Sequence, residues 1–248
     1  MTYKTVRTGR FLSRPNRFIA IVDIDGVPTV CHVKNTGRCK ELLTPDCTVV
    51  LAQAENPARK TLYDLIAVYK GDRLINMDSQ APNAVAAAYL RERFPHAVIR
   101  REVTYGDSRL DFAVEDGDAR WFVEVKGCTL EVDNVGYFPD APTQRGVKHL
   151  HHLTQAVREG YRAAVLFIIQ MEAIAAIRPN DTTHPAFGEA LRQAAAAGVD
   201  ALIIADLGAA ALIHRALPNL PLHASTQLSG HNAATGQVLA DFGFSRFV

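Results

Sequence analysis

The stretch RLDFAVEDGDARWFVEVK, residues 109–126, sets two strand patterns around the pair Gly117-Asp118. A two-residue II′ turn takes glycine first, where φ must be positive. With Gly117 and Asp118 central, Asp116 pairs with Ala119, and counting outward sets Asp111 opposite Glu124. Cross-strand partners hold their Cβ atoms about 4.5–5.5 Å apart, so the two carboxylates share a face within reach of one hard cation. Lys126 follows on that face by the period of two. Leu110, Phe112 and Val114, with Trp121, Val123 and Val125, take the opposite face and are expected to pack into the core. Two bare carboxylates so placed repel, and either protonation or a cation relieves them. Mg²⁺ or Mn²⁺ there would polarise a phosphoryl oxygen and lower the pKa of a bound water, with Lys126 orienting that water. The pattern points to phosphodiester hydrolysis, with Asp111 and Glu124 as metal ligands and Asp111, Glu124 and Lys126 as the catalytic set. Alternating charged and apolar residues also describe any half-exposed strand, so the register carries the argument.

Outward from the hairpin, Asn83 is expected to cap a helix reaching Phe94, with Val85, Tyr89, Leu90 and Phe94 on its apolar side. Strands are predicted at 97–104, 109–114 and 120–129, then a helix at about 143–159 with a stripe of Val147, Leu150, Leu153, Thr154 and Val157. The apolar run RAAVLFIIQ reads as a buried strand. The order α-β-β-β-α-β places helices against a mixed sheet, an α/β (α+β) arrangement.

The first eighty residues follow a different grammar. Strands are predicted at 18–24, 29–33, 48–52, 62–69 and 73–77, with hairpins at Asp25-Gly26 and Gly71-Asp72 and a helical turn or two in TGRCKELL. Five strands and one inserted helix are the inventory of an OB barrel, shared by several other small barrels. The expected divisions are 1–81, 82–197 and 198–248. The whole chain carries 27 Lys+Arg against 26 Asp+Glu, but residues 1–73 hold twelve against seven, so the first module is basic. Arg14, Arg17, His32, Lys34, Asn35, Arg38 and Lys40 surround turns suited to a phosphate backbone, with Phe11 or Phe18 as base platforms. Phe18, in a strand pattern, reads more readily as core. Asn35 to Arg38 present either N–H groups to phosphate or a plain helix cap.

Cys31, Cys39, Cys47 and Cys128 form no C-x-x-C pair and read as reduced thiols. No apolar stretch reaches the roughly 20 residues of a spanning helix, and MTYKTVRTGRF lacks a secretory h-region. The expectation is a cytoplasmic protein with a nucleic-acid partner, DNA before RNA, and no membrane association. His149, His151 and His152 cannot all face one way on a helix, so phosphate contact by one of them is a better use than a histidine metal cluster.

The motifs RFLSRPNRF, HVKNTGRCKELL, RKTLYDL, PNAV, RREVTYGDSRLDF, EVKGCTL and YFPDAPTQRGVKHLHHL resemble the SfsA family, the sugar fermentation stimulation proteins, over about residues 10–197. The resemblance implies an N-terminal OB fold joined to a PD-(D/E)xK nuclease-like domain, DNA binding, and in some descriptions cleavage of DNA or RNA. It carries Asp111, Glu124 and Lys126 onto the nuclease signature, although Leu110 stands where that signature has proline. Glu102 and the helix face of Arg145, Lys148 and His149 are further positions that could contact phosphate.

After Gly198 the sequence resembles the start of a collagenase-like peptidase barrel, with ALIIADLG, PLHAST and FSRFV as parallel strands. A complete barrel needs about 250 residues, so no peptidase site is expected, and the reading is a shortened product of a longer fusion. The strands could otherwise extend the nuclease-like sheet. Two functional alternatives stay open: a non-catalytic DNA-binding accessory or regulatory protein linked to sugar metabolism, and a peptidase-related protein led by the tail.

Overall fold

The computed structural model describes residues 3, 5–35, 37–56 and 58–205, with two short strands at 222–224 and 244–247. The chain divides into two units, Met1–Val85 with Gln170–Ala173, and Ala86–Ile169 with Ile174–Val248.

The first unit has strands β1 (Val6–Asn16), β2 (Ile19–Ile24), β3 (Val27–Val33), β4 (Thr48–Gln53), β5 (Tyr63–Lys70) and β6 (Arg73–Asn76). Their order is β3-β2-β1-β4-β5-β6, and a parallel pairing of β3 with β5, His32 against Asp64 and Val33 against Leu65, closes five of them into an OB-like barrel. Closure depends on β1, which pairs with β4 through Val6–Arg10 and with β2 through Arg10–Asn16, bending at register shifts after Phe11 and Ser13. Gly9 permits the close approach, because a Cβ there would meet Val22 Cγ1 at 2.6 Å. Ala20, Val22, Cys31, Val33, Val49, Leu51, Leu65 and Val68 fill the core. Residues 37–43 hold one turn of helical bonding and no longer helix: the Cys39 carbonyl accepts from both Leu42 N and Leu43 N, and Cys39, Leu42 and Leu43 are buried. All four cysteines are free thiols, and burial pushes those of Cys31 and Cys128 up to about 11 and about 12.

Helix α1 (Ala81–Arg93) leads into the second unit. It starts before Asn83, with Pro82 in the first turn where its missing N–H costs no hydrogen bond. Then come β7 (Val98–Tyr105), β8 (Ser108–Asp116), β9 (Ala119–Cys128), β10 (Leu130–Val132), β11 (Val135–Phe138), α2 (Gln144–Arg158), β12 (Arg162–Ile169), β13 (Ala176–Pro179), α3 (Pro185–Ala196) and β14 (Asp200–Ala205). The main sheet has the order β14-β12-β9-β8-β7, antiparallel from β7 to β9 and parallel from β9 to β14. Parallel neighbours need crossovers, and α2 and α3 supply them. A smaller sheet has the order β10-β11-β13. The tail's first strand extends the main sheet: β14 pairs with β12 from Asp200 to Ala205. Strands β15 (Leu222–Ala224) and β16 (Phe244–Phe247) form a separate parallel pair.

Thr143 caps α2 by accepting from Gly146 N at 3.0 Å. Its buried face is Gly146, His149, Leu150, Leu153 and Ala156, whereas Val147, Thr154 and Val157 are only partly covered. The expected stripe is thus rotated, and the rotation turns His149 toward the sheet.

Candidate metal centre and nucleic-acid interface

The β8–β9 register runs from Asp116↔Ala119 to Phe112↔Val123 around Gly117 at φ +57°. One further step of the same register sets Asp111 opposite Glu124, the alignment the turn chemistry predicts. The expectation that only the face of Phe112 and Val123 is core needs correction. Ala113 and Phe122, on the carboxylates' own face, pack with Leu150, Leu153 and Ala156 of α2, so both faces of the hairpin are covered. Covering the face raises the cost of any unpaired charge on it.

Asp111 Oδ2 accepts from Val125 N at 2.8 Å. Glu124 is 3% exposed, and its Oε1 takes Lys126 Nζ at 2.5 Å and a close hydrogen bond from His149 Nδ1. Burial pushes the Glu124 carboxyl pKa up, but the His149 and Lys126 contacts outweigh it and hold the group below its ordinary value. Glu124 Oε2 is also buried and has no hydrogen-bond partner among the described residues. A buried carboxylate oxygen left in this state costs free energy that a bound cation would recover. Two hard oxygen donors suit Mg²⁺ or Mn²⁺, which keep several waters and need few protein ligands. Among the described residues no group of three His, Cys, Asp or Glu side chains gathers for a metal.

The neighbouring positions divide. Glu102 lies across β7 from Asp111, between the pairs Arg101↔Phe112 and Val103↔Leu110, but it is exposed, has φ +54° and forms an ion pair with Arg109. Lys148 binds Asp107 Oδ2 at 2.7 Å, and His152 Nε2 approaches the other Asp107 oxygen at 3.2 Å. His149, expected at phosphate, is instead 3% exposed, and its Nε2 accepts from Arg145 Nε at 3.3 Å. Its signal in the sequence was its position one turn before Leu153 on the face shared with Gly146 and Leu150.

In the barrel unit, several basic candidates are spent on the fold. Arg14 donates to the carbonyls of Arg38 at 2.6 Å, Asn35 at 2.7 Å and Arg17 at 2.8 Å, tying the β1–β2 turn to the loop after β3. Lys34 Nζ lies 2.8 Å from Asp78 Oδ2, on a carboxylate that is 0% exposed. Asn35 donates to Met77 O and accepts from Gly37 N. His32 and Arg59 both engage Asp64, His32 through Nδ1 at 2.9 Å. Arg17, Arg38 and Lys40 remain exposed. Phe11 is core, while Phe18, favoured as core, is 48% exposed with the Arg17 guanidinium 5.3 Å from its ring centre.

Residues 12–77 match the SfsA N-terminal OB domain, and residues 80–206 match the sugar fermentation stimulation protein RE domain. Sugar fermentation stimulation protein homologues from Desulfitobacterium hafniense (strain Y51) and Ruminiclostridium cellulolyticum are 56% and 48% identical to this chain. Each alignment covers 82% of the chain, with 90% and 92% of the respective relatives. The chain belongs to the SfsA family. Its fold is similar to that of Pyrococcus furiosus SfsA, solved in complex with Ca²⁺, at TM-score 0.74 and 27% identity, covering 83% of this chain and 90% of that one. Residues 168–248 match peptidase family U32. That match begins at the end of β12, earlier than the expected boundary at 198, so residues 168–206 are matched by both families.

Proposed function

We propose that this SfsA-family chain binds nucleic acid, with DNA preferred, and hydrolyses its phosphodiester backbone using a divalent cation held by Asp111 and Glu124. The observation that carries the proposal is the buried, unpartnered Oε2 of Glu124 on the strand facing Asp111. The Ca²⁺ complex of the Pyrococcus furiosus relative agrees with a hard-cation site in this fold. Bound there, Mg²⁺ or Mn²⁺ would polarise a phosphoryl oxygen and make water a better nucleophile. Lys126, its Nζ 2.5 Å from Glu124 Oε1, supplies positive charge where negative charge grows on phosphate. Asp111, pinned by Val125 N–H, needs little reorganisation to serve as a ligand. Arg109, Arg145 and Lys148 line a shallow groove of about 460 Å³ beside His149 and provide charge for the phosphate backbone.

A second reading is a non-catalytic DNA-binding accessory protein linked to sugar metabolism. It is favoured by the Lys126 ammonium, which already neutralises Glu124 without a metal. No helix among the described residues is long and apolar enough to cross a membrane; a cytoplasmic location is part of the proposal. Digestion of labelled single- and double-stranded DNA and RNA with Mg²⁺, Mn²⁺ or EDTA separates the two readings. Cleavage that needs metal and vanishes in folded Asp111→Ala and Glu124→Ala supports hydrolysis. Binding without cleavage in every metal selects the accessory role.

A further inference from the structure

His149 is buried on α2 with both ring nitrogens engaged, which leaves none for phosphate. Its Nε2 accepts from Arg145 Nε, and an accepting imidazole nitrogen carries no proton. With Nε2 accepting, the hydrogen that reaches Glu124 Oε1 is carried by Nδ1. Lys126 donates to the same oxygen. Two donors on Oε1 hold the carboxylate in one orientation and leave Oε2 as its unpartnered oxygen among the described residues.

We propose that His149, held in its Nδ1–H tautomer by Arg145, is a positioning residue that fixes Glu124 so that Oε2 is presented to the divalent cation shared with Asp111. The inference rests on the metal-site reading above and names a residue that acts through Glu124. A glutamate side chain has three rotatable bonds, and a ligand that wanders among rotamers binds metal less well than one already oriented. Partners of this kind, one bond removed from the metal, typically contribute about 10- to 100-fold in affinity. Arg145 is exposed and borders the groove with Arg109 and Lys148, so the residue that sets the His149 tautomer also lies on the surface offered to phosphate.

The test is Mn²⁺ titration of the full chain followed by electron paramagnetic resonance, on the native protein and Asp111→Ala, His149→Leu and His149→Asn, with circular dichroism confirming each fold. The native chain should bind Mn²⁺, and Asp111→Ala should not. His149→Leu should bind about 10- to 100-fold more weakly. His149→Asn, whose side-chain NH₂ donates from near the Nδ1 position, should recover most of the affinity. If the native chain binds no Mn²⁺, the metal reading falls and takes this proposal with it. If the native chain binds and His149→Leu matches it, or Leu and Asn are equally weak, the positioning role alone is overturned. A second readout needs no variant of His149: imidazole ¹⁵N resonances of the metal-free native chain should show Nδ1 as the donor and Nε2 as the acceptor, altered in Arg145→Ala. A proton on Nε2 overturns the proposal.

Discussion

The loops at residues 14–17 and 34–38 and the β8–β9 hairpin carry the same kind of side chain in the sequence, charged residues among strand-forming ones, yet the structure treats them differently. In the barrel, Arg14 near the end of β1 and Lys34 and Asn35 after β3 find carbonyls, a buried carboxylate and a turn N–H inside their own unit. In the hairpin, Glu124 gains two donors on one oxygen and none on the other. A satisfied buried charge explains itself by the fold it holds. A half-satisfied one asks what completes it; Asp23 Oδ1 and Arg14 Nε in the barrel are orphaned too, and Glu124 stands apart because its orphan oxygen lies on a strand facing a second carboxylate, Asp111.

The contrast breaks most readily at Asp78. Its carboxylate receives Lys34 Nζ, Tyr3 OH and Gln80 N while fully buried. Asp78→Ala strands the Lys34 ammonium and should cost about 3–5 kcal/mol in urea unfolding. A loss under about 1 kcal/mol, the range of a surface pair, would show that Lys34 is free to serve elsewhere. A smaller, pH-dependent effect is expected at Asp64. Burial raises its pKa, but Arg59 and His32 outweigh that and leave it lowered. A folded pKa below the unfolded one stabilises above the unfolded value, about 3.9, and that contribution fades as pH falls through the folded value. Asp64→Asn should therefore narrow its stability gap from the native protein in acid, and a gap constant from pH 7 to pH 3 would contradict the pairing. The smallest effects belong to the exposed arginines. Arg17→Ala and Arg38→Ala should each reduce the salt slope of nucleic-acid binding by about 0.7–0.9, measured by fluorescence anisotropy at several salt concentrations. An unchanged slope removes that residue from the interface.

The hairpin and the sheet were legible because their signals are local. Gly117 fixes the turn, the period of two fixes the register, and the unbroken apolar run of β12 announces a strand covered on both sides. The OB-like inventory was legible in the same way, turn by turn. Strand β1 was not, because it carries Gly9 and Pro15, buries only Phe11, and exists through pairing with both β2 and β4. Helix α3 and the β10-β11-β13 sheet were missed for a related reason: an alanine-rich segment and three short strands gain their form from what they pack or pair with.

At the site, sequence spacing placed the carboxylates but misjudged their surroundings. The α2 stripe read from the sequence ran through Val147, Leu150, Leu153, Thr154 and Val157, whereas Val147 and Val157 pack only at the edge of the core and the fully buried face runs through Gly146, which lies against Thr143 and Phe187, and His149, which meets Glu124. Which basic residues are spent within the fold depends on contacts far apart in sequence, such as Lys34 with Asp78 and Arg14 with Arg38. No local pattern carries that information.

The central claim is that the unpartnered oxygen of Glu124 and the carboxylate of Asp111 hold one divalent cation. Anomalous diffraction from crystals of the full chain soaked in Mn²⁺ tests it most directly. The account predicts a peak within bonding distance of Glu124 Oε2 and an Asp111 carboxylate oxygen, absent from Asp111→Ala crystals; full Mn²⁺ occupancy elsewhere with none between these two residues would contradict it.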